Sequence, residues 1–192
     1  SHIWYYNGYI QIFLDDFEAT GYRLADIKPV ESGENKRVDV LWETPRGKIT
    51  LSFLMMPEHP GIFQKLSIKS DVPTKKVTVR FRSYPEGFSS PGKSFVFAED
   101  RKRWAVLGDE INDRAFGRGR GPGAILLVPE EWTRINFDPH NTRLEKDLVA
   151  DSSETNFHWV LWLFPEMTNK EAIRYMNQNA DQTITKLKEV YP

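Results

Sequence analysis

The sequence predicts a mainly antiparallel, two-sheet β-sandwich with one amphipathic helix packed on it at the C-terminal end. Short apolar or alternating segments recur along the chain with turn residues between them, and only one stretch has the periodicity of a helix. Aromatic residues make up 13% of the 192 residues and include six tryptophans, a content that suits pleated sheets. We expect residues 3–192 to form a single domain, and Ser1 and His2 to be a tag remnant.

The first half of the chain contains six strand candidates. They span residues 3–15, 22–28, 37–43, 48–56, 62–70 and 75–84. The third and fourth form the best predicted hairpin, because Pro45 presets a turn dihedral and Gly47 tolerates a left-handed one. In the sixth, Val77, Val79 and Phe81 alternate with basic and polar residues, so we expect one buried face and one basic face.

The second half contains shorter strands and the helix. We expect strands at residues 94–98, 103–107, 124–128, 133–137 and 143–149. Residues 155–164 are apolar on both faces, so both faces of that strand must be covered. A helix is predicted from about residue 169 to residue 190, because Thr168 and Glu171 match a capping box and an apolar stripe follows. The stripe consists of Ile173, Met176, Ala180, Ile184, Leu187 and Tyr191.

Composition excludes several classes of protein. With 40% hydrophobic residues, 28% charged residues and a formal net charge of −1, the chain is expected to be globular and not to bind nucleic acid as a bulk polyanion. It contains no cysteine, which excludes disulfides, thiolate metal sites and a cysteine nucleophile. No apolar run could span a membrane, and no metal-ligand spacing occurs. We therefore predict a soluble protein without a metal or other cofactor.

Glycine and arginine alternate in residues 114–123, which would place backbone amides beside guanidinium groups. Arg118 and Arg120 are therefore candidates for binding an anion, either a phosphate or a sugar carboxylate. The segment lacks the Lys-Ser/Thr of a Walker motif and the glycine spacing of a dinucleotide site. The alternative is a solvated loop whose arginines pair with nearby acidic residues. Those residues are Asp109, Glu110 and Asp113.

His158 and Trp132 are further candidates. His158 falls within a predicted strand, where it could act as a general acid or base or bind a sugar hydroxyl; the alternative is a partly buried structural histidine. Trp132 lies near Arg134 at the start of a strand, and we expect its ring to be exposed, so that it could stack on a sugar. The other strand tryptophans are expected in the core. They are Trp42, Trp104, Trp159 and Trp162.

The order of the strands resembles that of galactose-mutarotase-like supersandwich domains. The resemblance is carried by Trp42-Glu43-Thr44-Pro45, residues 47–54 and 63–69, and residues 123–129 before Trp132. Such domains occur in mutarotases and as non-catalytic modules of polysaccharide-degrading enzymes. The likeness covers residues 37–84 and 123–164 and implies a carbohydrate-related β-sandwich. Catalytic members pair histidines with a glutamate on the concave sheet, and His158 is the histidine that the resemblance would assign to such a pair.

The leading functional hypothesis is a carbohydrate-binding or carbohydrate-processing accessory β-sandwich whose partner is an oligo- or polysaccharide. Five arginines and Trp132 are its predicted ligand-binding residues, and the arginines favour acidic glycans. The arginines are Arg80, Arg82, Arg118, Arg120 and Arg134. One alternative is a sugar-modifying enzyme of the epimerase or lyase type that uses His158; another is a structural or assembly module without a small-molecule site. Whether the protein is an enzyme and whether it forms oligomers stay open, and the preferred location is the periplasm or the extracellular space.

Overall fold

The computed structural model describes residues 10–22, 24–83, 94–97, 103–109, 122–138, 141–151, 154–163 and 165–192. These residues form strands β1 Ile10–Leu14, β2 Phe17–Glu18, β3 Leu24–Ser32, β4 Asn35–Thr44, β5 Gly47–Met55, β6 Ile62–Ser70, β7 Lys76–Ser83, β8 Ser94–Phe97, β9 Trp104–Asp109, β10 Pro122–Leu127, β11 Arg134–Asp138, β12 Asn141–Val149 and β13 Thr155–Leu163, and helix α1 Asn169–Val190.

The strands form two sheets, and the predicted two-sheet sandwich is confirmed. The small sheet has five strands in the order β11-β12-β7-β1-β2, and the large sheet has eight in the order β3-β4-β5-β6-β13-β10-β9-β8. All neighbouring strands among the described residues pair antiparallel. The core between the sheets contains aliphatic side chains from both and the indole of Trp159, which is fully buried.

Helix α1 covers the other face of the large sheet, as the strand at 155–164 required. Trp159 and Leu161 of β13 face the small sheet, whereas Val160 and Trp162 lie under the helix. Thr168 and Glu171 form the predicted capping box, in which the Thr168 hydroxyl accepts from the Glu171 amide at 3.2 Å. No helix within the described ranges is long and apolar enough to cross a membrane.

Strand β3 is longer than the sequence predicted. It continues past residue 28, through Pro29 to Ser32, before a turn at Gly33, whose φ is 64°. The predicted strand covered residues 22–28, whereas β3 is at the edge of the large sheet and includes Pro29. An edge strand accommodates proline because one of its sides donates no ladder hydrogen bonds.

The large sheet is wider than the small one, and this difference creates an open edge. Among the described residues, the small sheet ends at β2, which has only two residues, and no strand of that sheet within those ranges covers the inner surface of β3. Leu24 pairs with Trp42 and Ile27 pairs with Val40 on that surface. Leu24 is consequently 41% exposed and Ile27 is 57% exposed.

Candidate functional site

Two of the predicted arginines lie in a row of hydrogen-bonded side chains that crosses the outer face of the small sheet. Arg134 of β11 donates to Glu145 of β12, and Arg80 of β7 donates to the same carboxylate. Arg80 also contacts the Gln11 amide oxygen of β1 at 3.4 Å, and Gln11 donates to Glu18 of β2 at 2.8 Å. We call these five residues the cross-sheet row, since each of the five strands contributes one of them.

The carboxylates beside this row are held in their charged form. Burial alone would raise the pKa of Glu145, but hydrogen bonds from Arg134 and Arg80 outweigh it and hold the pKa below its usual value. Arg134 also forms a bidentate salt bridge with Asp147, with N–O distances of 2.7 and 2.9 Å. This salt bridge lowers the pKa of the Asp147 carboxyl. The positive charges of Arg80 and Arg134 are thus matched within the sheet, and an acidic sugar would have to compete with these carboxylates.

The expected exposure of Trp132 is wrong. Its side chain is 5% exposed and lies in the core between the sheets, edge-on to Phe81 with ring centroids 5.6 Å apart. The segment that carries it is fastened to β12, because the Lys146 ammonium binds the Glu130 carboxylate at 2.8 Å and the Glu131 carbonyl at 2.9 Å. This attachment turns the indole inward, so its face cannot stack on a sugar.

An exposed aromatic beside arginine and glutamate nevertheless exists, at the open edge of the sandwich. A groove of about 650 Å³ lies there, which we call the edge groove. Its floor is apolar and contains Val40, Trp42, Leu51 and Phe53. Its rim is polar and contains Gln11, Glu18, Thr20 and Arg82. Tyr22 also lines the groove and is 43% exposed. The cross-sheet row therefore ends at this groove.

The Tyr22 ring is supported from below. It lies 5.2 Å from the ring of Phe17, and the Arg46 guanidinium lies 5.5 Å from the same Phe17 ring. Arg46 is in turn fixed by hydrogen bonds to the Leu14 carbonyl at 3.2 Å and to Asp15 at 3.4 Å. This tilted ring contact, at 38° between the planes, restricts the orientations of an otherwise exposed tyrosine and makes it a suitable platform for a ligand.

Arg82 places a guanidinium group on the rim of the edge groove. Burial lowers its pKa, and so do the neighbouring charges of Arg143, its cross-strand partner, and of Arg80, whereas Glu18 acts in the opposite direction. Like charges directly opposite each other across a strand pair repel. An anionic group at this end of the groove would reduce that repulsion.

His158 lies on the opposite side of the large sheet from the edge groove. It pairs with Lys65 across β6 and stacks against Tyr191, with ring centroids 5.3 Å apart and planes 11° apart. Burial, and to a lesser extent the charge of Lys65, lowers its pKa to about 4, so the ring is neutral near pH 7. Its Nε2 atom is buried without a hydrogen-bond partner in the described part of the chain. Among the described residues, no carboxylate is hydrogen-bonded to His158, so the structure shows no partner for a catalytic pair there.

Three further predictions concern the glycine- and arginine-rich segment, metal sites and the core tryptophans. Arg118 and Arg120, with most of the glycine- and arginine-rich segment, lie outside them. Where side chains are described, no group of three or more His, Asp or Glu residues could hold a metal ion. The four strand tryptophans expected in the core are all buried, at 9% exposure or less.

Sequence reasoning missed three residues of the edge groove, namely Gln11, Glu18 and Tyr22. Glu18 lies in a two-residue strand, which is too short for alternation to reveal. Tyr22 was the first residue of a predicted strand, and its exposure depends on how far the small sheet extends. The one available signal was the Ala19-Thr20-Gly21 turn before Tyr22, since turn residues bring side chains to sheet edges.

No protein-family model and no curated protein matches the sequence. Among solved structures, a human-microbiome protein assigned as a kojibiose phosphorylase matches with a TM-score of 0.53 and 14% identity, over 94% of this chain and 24% of that chain. Two GH36 α-galactosidases from Geobacillus stearothermophilus, AgaB and AgaA, match with TM-scores of 0.41 and 0.38 and identities of 10% and 8%, over 84% of this chain and 30% of theirs. The chain spans about a quarter of the length of the first, and at these identities the likeness concerns the fold. The chain is similar in fold to a part of the protein assigned as a kojibiose phosphorylase.

Proposed function

We propose that this β-sandwich is an accessory module that binds an oligosaccharide in the edge groove, with a preference for acidic sugars. The observation that carries the proposal is the exposed ring of Tyr22 above an apolar floor, beside Glu18 and Arg82. A pyranose ring has apolar C–H faces that stack on an aromatic ring and hydroxyl groups that need polar partners at the rim. The edge groove provides both kinds of surface.

The preference for acidic sugars rests on Arg82. A sugar carboxylate beside its guanidinium would form a charge-assisted hydrogen bond and relieve the repulsion from Arg143. Arg80 and Arg134 would act indirectly, because they orient Gln11 and Glu18 through the cross-sheet row. Arg118 and Arg120 remain proposed contributors of positive charge.

A binding role is better supported than a catalytic one. His158 lies on the outer face of the large sheet and the edge groove opens on its inner face, so His158 cannot touch a ligand bound there. The alternation along β13 fixes this difference, since Phe157 and Trp159 on either side of His158 both face the small sheet. The epimerase or lyase hypothesis would need a second site.

The proposal is tested by calorimetric titration with an oligogalacturonate and with neutral gluco-oligosaccharides, at low and high salt. We expect Arg82→Gln to weaken oligogalacturonate binding by roughly 10-fold or more, and Tyr22→Ala to weaken it by roughly 2- to 12-fold. High salt should weaken binding as well, because the arginine contact is screened.

Arg103→Gln is the matched control, because Arg103 pairs with Asp181 of α1 and does not line the edge groove. The Arg103→Gln variant should bind oligogalacturonate with the same affinity as the unsubstituted protein. Absence of oligogalacturonate binding at low salt, or binding that Tyr22→Ala and Arg82→Gln leave unchanged in a folded protein, would overturn the proposal.

A further inference from the structure

A second groove, which we call the helix groove, lies on the outer side of the large sheet. It has a volume of about 810 Å³ and runs between α1, the β3–β4 turn and the β5–β6 turn. It shares no lining residue with the edge groove. The two grooves therefore lie on opposite faces of the same sheet and can be altered separately.

Two walls of the helix groove, the turn that carries His59 and helix α1, both contact the indole of Trp162. The His59 ring lies 5.7 Å from Trp162 and edge-on to Phe63 at 4.7 Å. Tyr175 of α1 meets the same Trp162 edge-on at 6.2 Å. The turn that carries His59 can approach this closely because residue 61 is glycine: a Cβ atom there would lie 2.7 Å from Val160 Cγ1. Both walls are thus held in place before any ligand arrives.

The imidazole of His59, the phenol of Tyr175 and the amide of Asn179 are uncharged polar groups on these walls. His59 Nδ1 accepts a hydrogen bond from the Gly61 amide at 3.0 Å, and burial lowers the pKa of His59, so its proton is on Nε2 near pH 7. Burial raises the pKa of Tyr175, which keeps the phenol protonated. Asn179 donates to the Tyr175 carbonyl at 2.9 Å, and this bond leaves its amide oxygen to accept.

The charged lining is predominantly acidic. Glu34, Glu58 and Glu189 line the groove, and its only lysine among the described residues, Lys186, pairs with Glu189 at 3.3 Å. An anionic ligand would be repelled by this surplus. Carboxylates, amides and a neutral imidazole together offer many acceptors and several fixed donors, which matches the closely spaced hydroxyl groups of a neutral sugar.

We propose that the helix groove is a second saccharide site, selective for neutral oligosaccharides. It does not depend on the edge groove, since its residues, its charge and its side of the sheet are different. The two grooves would bind sugars of different charge, and a polysaccharide that contains both neutral and acidic units could occupy both.

The experiment is a two-dimensional NMR titration with α-linked and β-linked neutral gluco-oligosaccharides that follows the side-chain amides of Asn179 and Gln182. We expect these signals to shift, and we expect Asn179→Ala or Gln182→Ala to weaken binding by about 3- to 10-fold each. Asn177→Ala and Gln178→Ala are matched controls, because these residues are exposed on α1 outside the groove and should leave the affinity unchanged.

Tyr22→Ala distinguishes this site from the edge groove. It should leave neutral-sugar binding intact, whether or not the protein binds acidic sugars. Neutral sugars that shift no amide of the groove, or that bind equally well to Asn179→Ala and Gln182→Ala, would overturn the inference. So would a lysine-rich peptide that shifts the Asn179 and Gln182 amides while neutral sugars do not, since the groove would then select for positive charge.

Discussion

The outer faces of the two sheets are stabilised in different ways. The outer face of the large sheet is apolar beneath α1, where Phe63, Val160 and Trp162 are fully or almost fully buried. The outer face of the small sheet has no helix on it in the described part of the chain, and it carries the cross-sheet row with its paired charges. Burial of apolar surface depends little on pH or salt, whereas a charged row depends on both. The two faces should therefore fail under different perturbations.

Removal of α1 should have the largest effect. A chain that ends at Pro165 loses the burial of Met176, Ile184 and Leu187, worth on the order of 5 to 9 kcal/mol at usual values for such side chains. This loss is comparable to the whole stability of an ordinary domain. We expect the shortened chain to show no cooperative transition in urea by circular dichroism. A cooperative transition at the urea midpoint of the full chain would mean that α1 is not part of the core. Gln178→Ala is the control: it alters only the exposed face of the helix, so the urea midpoint should not change.

A smaller loss is expected when the cross-sheet row is broken at its centre. Glu145→Gln removes the charge that both Arg80 and Arg134 bind, and we expect the free energy of unfolding to fall by about 1.5 to 3 kcal/mol. Glu154→Gln is the matched control: Glu154 pairs with Lys69 at 3.6 Å on the surface, so its loss should cost less than about 0.5 kcal/mol. Equal urea midpoints for the two variants would show that the row does not stabilise the small sheet.

How much of each face the sequence predicts depends on how far apart in the chain the contacting residues are. The capping box and apolar stripe of α1 are local, and both its boundaries follow from them. The cross-sheet row joins Arg80 to Glu145 across 65 residues, and no local pattern indicates which strands will be neighbours. Basic side chains on one face of β7 were predicted from alternation alone, but their neutralisation was not.

The error at Trp132 has the same physical origin. Its exposure was inferred from polar neighbours in sequence, yet the ammonium of Lys146, a distant residue, fastens the segment and directs the indole inward. The edge groove could not be predicted either, because it results from a difference in width between two sheets. That difference is set by how many strands each sheet recruits, which single-strand patterns do not encode.

His158 adds to the helix-covered face a pH dependence that its apolar contacts do not have, because protonation of the ring should destabilise this face as the pH falls. Its pKa is about 4 in the folded protein against about 6.5 when unfolded, so below pH 6.5 the unfolded chain binds more protons. The stability that the neutral ring contributes is complete above about pH 6.5 and is lost as the pH falls towards 4. We expect His158→Phe, which keeps the stack on Tyr191, to remove about 1 to 2 kcal/mol of this pH dependence, a figure discounted because the ring is only half-buried. Parallel urea titrations of the two proteins between pH 7 and pH 4 measure the difference, and curves that stay parallel would contradict it.

The smallest effect should come from the helix cap, and it tests whether α1 is held by its apolar stripe more than by its own terminus. Thr168→Ala removes the hydroxyl that accepts from the Glu171 amide, while the bond from the Thr168 amide to the Glu171 carboxylate at 2.7 Å can persist. We therefore expect the free energy of unfolding to fall by about 1 kcal/mol. Thr185→Ala is the control, because that hydroxyl bonds within the helix to the Asp181 carbonyl and caps nothing. Removal of α1 should abolish the cooperative transition, and Thr168→Ala should not. If Thr168→Ala alone abolished it, α1 would be held by its cap and not by its apolar stripe, and apolar packing would not be what stabilises this face.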